Sequence, residues 1–557
     1  MFRLEHEEGL KYLEIKIMNT KINQPSELTL FFFFLVVLIS CNQPEKESKT
    51  IDSIIPRPQG VTSAGKNFLL KETTGIFIES GSNEELEIAN YLANKLRPAT
   101  GFKILINSTT KPEGGDIIIA KTQGGPDSGE GYELTISEDM VRLSSTTSAG
   151  LFRGVQTLRQ LLPASIEGSS LQSNEEWTVP TGTIKDYPNY KWRGMMLDVS
   201  RHFFTVDDIK RLLDQMAYYK LNVFHWHLSD DQGWRIEIKS WPKLTTFGGS
   251  TQVGGGKGGF YTQEEYKDVV KYAQERYITV VPEIDMPGHT NAALASYPEL
   301  NCSEQTIKLS PGNEEKRKVP GLYTGIEVGF STICATKEST YKFVDDVVRE
   351  LAEMTPGPYI HIGGDESHAT KKEDYIPFVK RVQEIVTKHG KKVVGWDEIA
   401  ISTLVPETMA QVWAAPKNGK LAIAQGGKLI MSPAKKAYLD MSYDSACKLG
   451  LHWAAYIEVK DGYDWEPATY AEGITRENIY GIESALWTET IQTRSDIDYM
   501  VFPRLPGYAE IGWSATPDGK PGSRNWDEYK IRLASHGPRM KAMGINYYPS
   551  KLVPWKE

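Results

Sequence analysis

The chain has 557 residues, 40% hydrophobic and 24% charged, with a net charge of −9. That length exceeds one ordinary domain and suits two folded units, one of them a barrel of about 250 residues or more. The acidic balance and the lack of a Lys/Arg-rich run exclude nucleic acid as an expected partner, whereas 13 Trp and 27 Tyr suit flat sugar rings stacked on aromatic faces, against the alternative of ordinary packing.

Leu28 to Ile39 is an apolar run containing Phe31 to Phe34, with Lys21 before it and Ser40-Cys41 after it. It is too short to span a bilayer and fits a secretory signal. Leu38-Ile39-Ser40-Cys41 resembles a bacterial lipobox, which implies a lipidated Cys41, and by that resemblance Asn42 favours the outer membrane. Residues 1–41 therefore read as a lipoprotein signal peptide whose true start is Met18, because Glu5, Glu7, Glu8 and Glu14 do not suit the head of a signal. Residues 42–53 read as a flexible tether. The expected protein is exported, touches the membrane only through its lipid anchor, and faces the periplasm or the cell surface.

Residues 54–186 read as a small α+β module. Ile76 to Ile78 and Asp116 to Ala120 have strand character, and Glu84 to Arg97 has helical spacing. Tyr132 to Ile136 and Met140 to Ser144 alternate as a β pair, and Ala149 to Leu162 returns to helical spacing. No catalytic constellation stands out there. Lys185-Asp186-Tyr187-Pro188 marks a junction, and residues 187–557 alternate strand and helix. Arg193 to Val199 precedes a helix from Val206 to Tyr219 capped by Thr205, and Leu221 to Leu228 precedes one near Gln263 to Arg276. Ile278 to Ile284 is followed by a long connection and a helix near Glu338 to Met354, and Pro358 to Gly364 leads to Lys372 to His389. Lys392 to Trp396, Met409 to Trp413, Leu429 to Ser432 and Tyr480 to Trp487 bring the strands to eight. The pattern predicts an α/β fold: a (β/α)8 TIM barrel catalytic domain preceded by a small α+β domain.

Tyr359-Ile360-His361-Ile362-Gly363-Gly364-Asp365-Glu366 ends an apolar run in two glycines and two acids, as barrel enzymes present catalytic groups at the C-terminal rim. The plainer alternative is that an acid caps the next helix. Adjacent residues on an extended strand point apart, so this pair is not expected to flank a sugar as acid and protein nucleophile. A substrate carrying its own nucleophile, the 2-acetamido oxygen of an N-acetylhexosamine, removes the difficulty. Glu366 would then serve as acid and later base, while Asp365 accepts the acetamide N–H. Cys302 and Cys334 both lie in the long connection before this strand, and a bridge between them would fasten it; the alternative is buried free thiols.

Leu197-Asp198-Val199-Ser200-Arg201-His202-Phe203-Phe204, His225-Trp226-His227-Leu228-Ser229-Asp230-Asp231-Gln232-Gly233-Trp234-Arg235, Pro282-Glu283-Ile284-Asp285-Met286-Pro287-Gly288-His289 and His361-Ile362-Gly363-Gly364-Asp365-Glu366 resemble the signature blocks of glycoside hydrolase family 20, the β-N-acetylhexosaminidases. The likeness runs from about Ile54 to Trp555. It implies an exo-acting, retaining hydrolase without cofactor or metal, working on carbohydrate with a terminal N-acetylhexosamine through an oxazolinium intermediate. Position by position, it implies Asp365 as the acetamide-orienting acid, Glu366 as proton donor, and Arg201 on ring hydroxyls. It further implies Asp230 and His289 as a hydrogen-bonded relay, Trp396, Trp413 and Trp487 as indoles around acetamide and ring, Tyr438 on the acetamide oxygen, and Asp440 and Glu489 on outer hydroxyls.

Two rivals stand beside this reading. His225 and His227 share a strand face and, with Asp230, Asp285 and His289, could hold a metal. A glycan-capturing lipoprotein without turnover would keep the aromatic rim but have no use for both Asp365 and Glu366.

Overall fold

The computed structural model describes residues 51–79, 81–108, 112–126, 129–302, 306–310, 313–316, 321–516 and 524–556. The signal peptide, Cys41 and tether residues 42–50 lie outside the described residues. Among those described, no helix is long and apolar enough to cross a membrane. The end of the tether reading is overturned. Ile51–Ser53 is a 3-10 turn whose Ile51 is only 2% exposed, and Ile54 and Ile55 follow it into the interior. The polar neighbours Asp52 and Ser53 disguise three buried isoleucines, Ile51 and Ile54 in the core of the first domain and Ile55 in that of the barrel, and Ile51 packs where Gly182 leaves room for it.

The first domain is built on a seven-stranded mixed sheet. In spatial order its strands are Gly60–Leu69, Thr178–Asp186, Tyr132–Ile136, Val141–Ser145, Ile117–Lys121, Ile76–Ile78 and Ile106–Asn107. The first three junctions in this order are antiparallel and the last three parallel. The helix Asn83–Thr100 is capped by Ser82 and stopped by Gly101 at φ 71°. The second helix, Ser148–Leu161, is buried along nearly its whole length. A helix apolar on one face cannot be buried all round without polar partners on the other, and here the barrel and the segment ahead of the first strand supply them. Arg153 donates to the carbonyl of Tyr277 at 2.7 Å, and Gln160 donates to the carbonyls of Ile55 and Tyr218.

Eight parallel strands close the second domain into a barrel: Trp192–Asp198, Val223–His227, Thr279–Glu283, Tyr359–His361, Lys392–Trp396, Met409–Val412, Lys428–Met431 and Ile479–Leu486. Val206–Tyr218 and Gln263–Gln274 begin with capping boxes at Thr205 and Thr262, so these helix starts are written in local sequence. Glu338–Met354 and Lys372–Lys388 follow the third and fourth strands. After the fifth strand the usual helix is replaced by the 3-10 turn Asp397–Ile401. The barrel floor is apolar, with Val223, Val281, Val394, Met409 and Ile430 packed together. The layer above is charged: Glu283, Glu483, His225, His227 and His361 are all fully or almost fully buried there.

Candidate active site

The strand that leads to the acid pair is shorter than its sequence suggests. It ends at His361, and Gly363 and Gly364 turn the chain at φ 65° and 106°. A side chain at 363 is impossible without movement, since a Cβ there would stand 1.7 Å from Oδ1 of Asp285. That same oxygen accepts the Gly364 N–H at 3.0 Å, and the Tyr375 hydroxyl donates to the Gly364 carbonyl at 2.6 Å. The expectation that Asp365 and Glu366 alternate on an extended strand is therefore corrected. Both reach the same imidazole: His289 Nε2 lies 3.7 Å from Asp365 Oδ2 and 3.5 Å from Glu366 Oε2. Glu366 and His289 hold left-handed backbones, φ 44° and 52°, a conformation that costs a non-glycine residue about 1–3 kcal/mol.

A cleft of about 260 Å³ opens at this rim. Of the residues singled out from sequence, Arg201, Asp365, Glu366, Trp413, Tyr438, Asp440, Trp487 and Glu489 line it. Asp230, His289 and Trp396 stand one layer behind, each almost fully buried. Trp396 packs on Trp487 at 5.7 Å between ring centres and donates its indole N–H to Glu283 at 2.9 Å, so it backs the pocket wall. Trp413 and Tyr438 lie nearly parallel, 6.3 Å apart, and Glu398 accepts the Trp413 N–H at 3.0 Å, fixing that indole's orientation. Sequence reasoning missed Glu398 and four apolar residues of the mouth, Ile326, Val328, Leu451 and Trp453. Trp453 is 57% exposed, an apolar face at the mouth of the cleft.

Charge is distributed unevenly between the two acids. Burial, with Asp285 close by, pushes the Asp365 carboxyl well above the usual carboxylate range. Asp285 is itself pushed up to about 7, mainly by burial. Burial acts the same way on Glu366, but contact with His289 and the charge of Arg201 outweigh it and hold that carboxyl below its ordinary value. His289 is driven the other way: burial disfavours its cation, yet Asp230, 3.2 Å from Nδ1, keeps it protonated. Asp230 is in turn an anion, because Arg201 at 2.8 Å and His289 overcome its burial. Arg201 lies over the Trp487 ring at 4.9 Å, so one guanidinium joins the relay to the pocket wall.

Of the metal rival's residues, the two strand histidines are brought against buried acids. His227 meets Glu283 and Asp230, one at each ring nitrogen, at 2.5 and 2.9 Å. His225 likewise meets Glu483 and Glu283 at 2.7 and 2.9 Å. An imidazole hydrogen-bonded to an acid at both nitrogens, as His227 is, is satisfied as a cation and presents no lone pair to an ion. Cys302 and Cys334 are joined as a disulfide, and Cys447 is free.

A closed parallel barrel with paired rim acids, an aromatic cleft and a histidine-coupled carboxyl defines a hydrolase acting on sugars. The family description "Glycosyl hydrolase family 20, catalytic domain" matches residues 190–516, and "Glycosyl hydrolase family 20, domain 2" matches residues 52–187. A β-N-acetylhexosaminidase of Cellulomonas fimi is 39% identical over 507 residues, covering 90% of this chain and 97% of its own. The solved family 20 β-N-acetylhexosaminidase of Streptomyces coelicolor A3(2) superposes with a TM-score of 0.85 at 48% identity, covering 91% of this chain and 99% of its own. A mutant β-hexosaminidase of Streptomyces plicatus, solved with the product GlcNAc, gives 0.85 and 48% over 91% of this chain and 98% of its own. The chain belongs to glycoside hydrolase family 20. It is a glycosidase that hydrolyses β-N-acetylhexosaminides.

Proposed function

We propose that the chain releases terminal, non-reducing β-linked N-acetylglucosamine, and N-acetylgalactosamine where the rim admits it, with Glu366 as acid and base and Asp365 as acetamide acceptor. The observation that carries these roles is the convergence of both acids on His289 Nε2 beside an aromatic cleft. The neighbours favour a neutral Asp365 and an ionised Glu366, the reverse of what leaving-group departure needs. An acetamide N–H donated to Asp365 favours its carboxylate, and a sugar ring over Glu366 removes water from that carboxyl and raises it. His289 lies between the two. The acetamide oxygen then attacks the anomeric carbon while Glu366 protonates the departing oxygen, and Glu366 returns as base for the water that opens the oxazolinium ion. Tyr438, a buried phenol beside Asp365, holds the acetamide oxygen; Arg201, Asp440 and Glu489 take the ring hydroxyls. GlcNAc bound to the Streptomyces plicatus relative supports the gluco preference.

Glu366→Gln should cut turnover by about 100- to 10,000-fold on substrates with poor leaving groups and much less on activated aryl glycosides. Wild-type rates on poor leaving groups would reassign the acid. The lipobox-like run to Cys41, together with a formed disulfide, supports an exported, lipid-anchored protein. Incorporation of labelled palmitate that vanishes in Cys41→Ala tests that placement, and equal labelling of both proteins would overturn it.

A further inference from the structure

Beneath the cleft, the buried acids and imidazoles form one connected column. Glu483 Oε1 meets His225 Nδ1 at 2.7 Å, and His225 Nε2 meets Glu283 Oε2 at 2.9 Å. The same Glu283 oxygen meets His227 Nδ1 at 2.5 Å, and His227 Nε2 meets Asp230 Oδ2 at 2.9 Å. Asp230 then reaches His289, and His289 reaches Glu366. The strands set this alignment. His225 and His227 are two apart on one strand and so share its inward face, and Glu283 stands beside His227 in parallel register. Glu483 fits because its register partner is Gly194, where a Cβ would stand 2.2 Å from Glu483 Oε2.

We propose that this column of alternating charge, Glu483, His225, Glu283, His227 and Asp230, acts on the reaction through His289, with Glu283 and His227 as positioning residues that set the protonation of Glu366. The proposal rests on the reading of Glu366 as acid and base. Packing alone does not call for such a layer. The barrel floor just below is filled by valine, methionine and isoleucine, and each buried ion costs several kcal/mol of desolvation that apolar side chains avoid. Charge begins at the level that joins Asp230. There Asp230 must remain an anion to hold His289 as a cation, and it has two cationic neighbours to keep it so: Arg201 from the rim side and His227 from below. Glu283 keeps His227 charged, with its second oxygen 2.9 Å from both His361 Nδ1 and Trp396 Nε1.

His227 faces Glu283, Asp230 and Asp198. His289 faces Asp230, Asp231, Asp285, Asp365 and Glu366. Glu366 faces His289, Arg201 and His368, and Arg201 faces Asp230, Asp198, Asp231 and Glu489. Removing the positive charge of His227 leaves the potential at Glu366 more negative, so its proton is held more tightly.

In His227→Gln the alkaline limb of kcat/KM on a poor-leaving-group N-acetylglucosaminide should move up by about 0.5–1 pH unit, with KM at the optimum changed less than twofold. A folded variant whose limb stays in place, or whose rate falls equally at every pH, overturns the proposal. Should the variant not fold, the unaltered enzyme gives the answer. With ¹⁵N-labelled histidine, the three imidazoles His225, His227 and His289 should remain doubly protonated at pH 8, and fewer than three such signals overturns the column. Glu366→Gln measured on the same substrates separates the two claims. If it keeps wild-type rates, the acid is misassigned; if it loses them while His227→Gln leaves the limb unmoved, only the column fails.

Discussion

Asp365 shows how much work a single buried oxygen pair can do. Burial and Asp285 favour its neutral form, and on the proposed role an incoming acetamide N–H would favour its carboxylate, so that the substrate would assemble part of its own site. Asp365→Asn keeps the shape but cannot become an anion against the developing positive charge. We expect kcat on an N-acetylglucosaminide to fall by about 100- to 1,000-fold with KM little changed, measured by steady-state kinetics; a fall in affinity alone would make Asp365 a binding group only. At this scale the sequence was informative wherever a polar or aromatic side chain closes a strand-like run. Asp365, Glu366, Arg201, Trp413 and Trp487 stood out because each comes just after a strand, and all five line the cleft. Glu283, Glu483 and Glu398 were overlooked because they lie within or beside strands that otherwise read as apolar. The signal was present: an acid inside a parallel barrel strand has no route to water and must be paired.

Between residues and whole fold, the turn after His361 decides where the acids point. An apolar run followed by Gly-Gly predicts that a strand stops, but not that the stop comes two residues before the glycines with the backbone left-handed at both of them. Strand-helix alternation and the Thr205 cap were legible because period and cap are local; this turn was not, because its shape is imposed by Asp285, just beyond the end of the neighbouring strand. Gly363→Ala tests the dependence. At φ 65° an L-residue costs about 1–2 kcal/mol, and here the new methyl also collides with Asp285. A shift of about 1 Å in catalytic groups costs on the order of 100-fold in rate, so kcat should fall at least that far while the circular dichroism spectrum stays that of the folded barrel. Unchanged kcat in a folded Gly363→Ala would show that the turn does not position the acids.

Across the whole molecule, the two domains behave as parts of one interior rather than as beads on a chain. Trp513, from the barrel's last strand-helix unit, sits in the hydrophobic core of the first domain, and its indole donates to Asp186 at 2.8 Å. Lys220, fully buried in the barrel, reaches back to Asp186 and to the Tyr132 hydroxyl, both at 2.9 Å, and lies over the Trp513 ring. The first domain thereby covers the polar end of a lysine and the face of an indole that would otherwise be left unsatisfied. Breaking a buried pair from one side leaves an uncompensated charge and costs about 3–5 kcal/mol. Lys220→Met should therefore lose about that much stability in guanidinium, and it should still unfold in a single transition when followed by both tryptophan fluorescence and far-ultraviolet circular dichroism. If the variant instead unfolds in two steps, with the barrel step at its wild-type midpoint, the domains are independent, and the shared core contributes nothing to holding the catalytic rim in place.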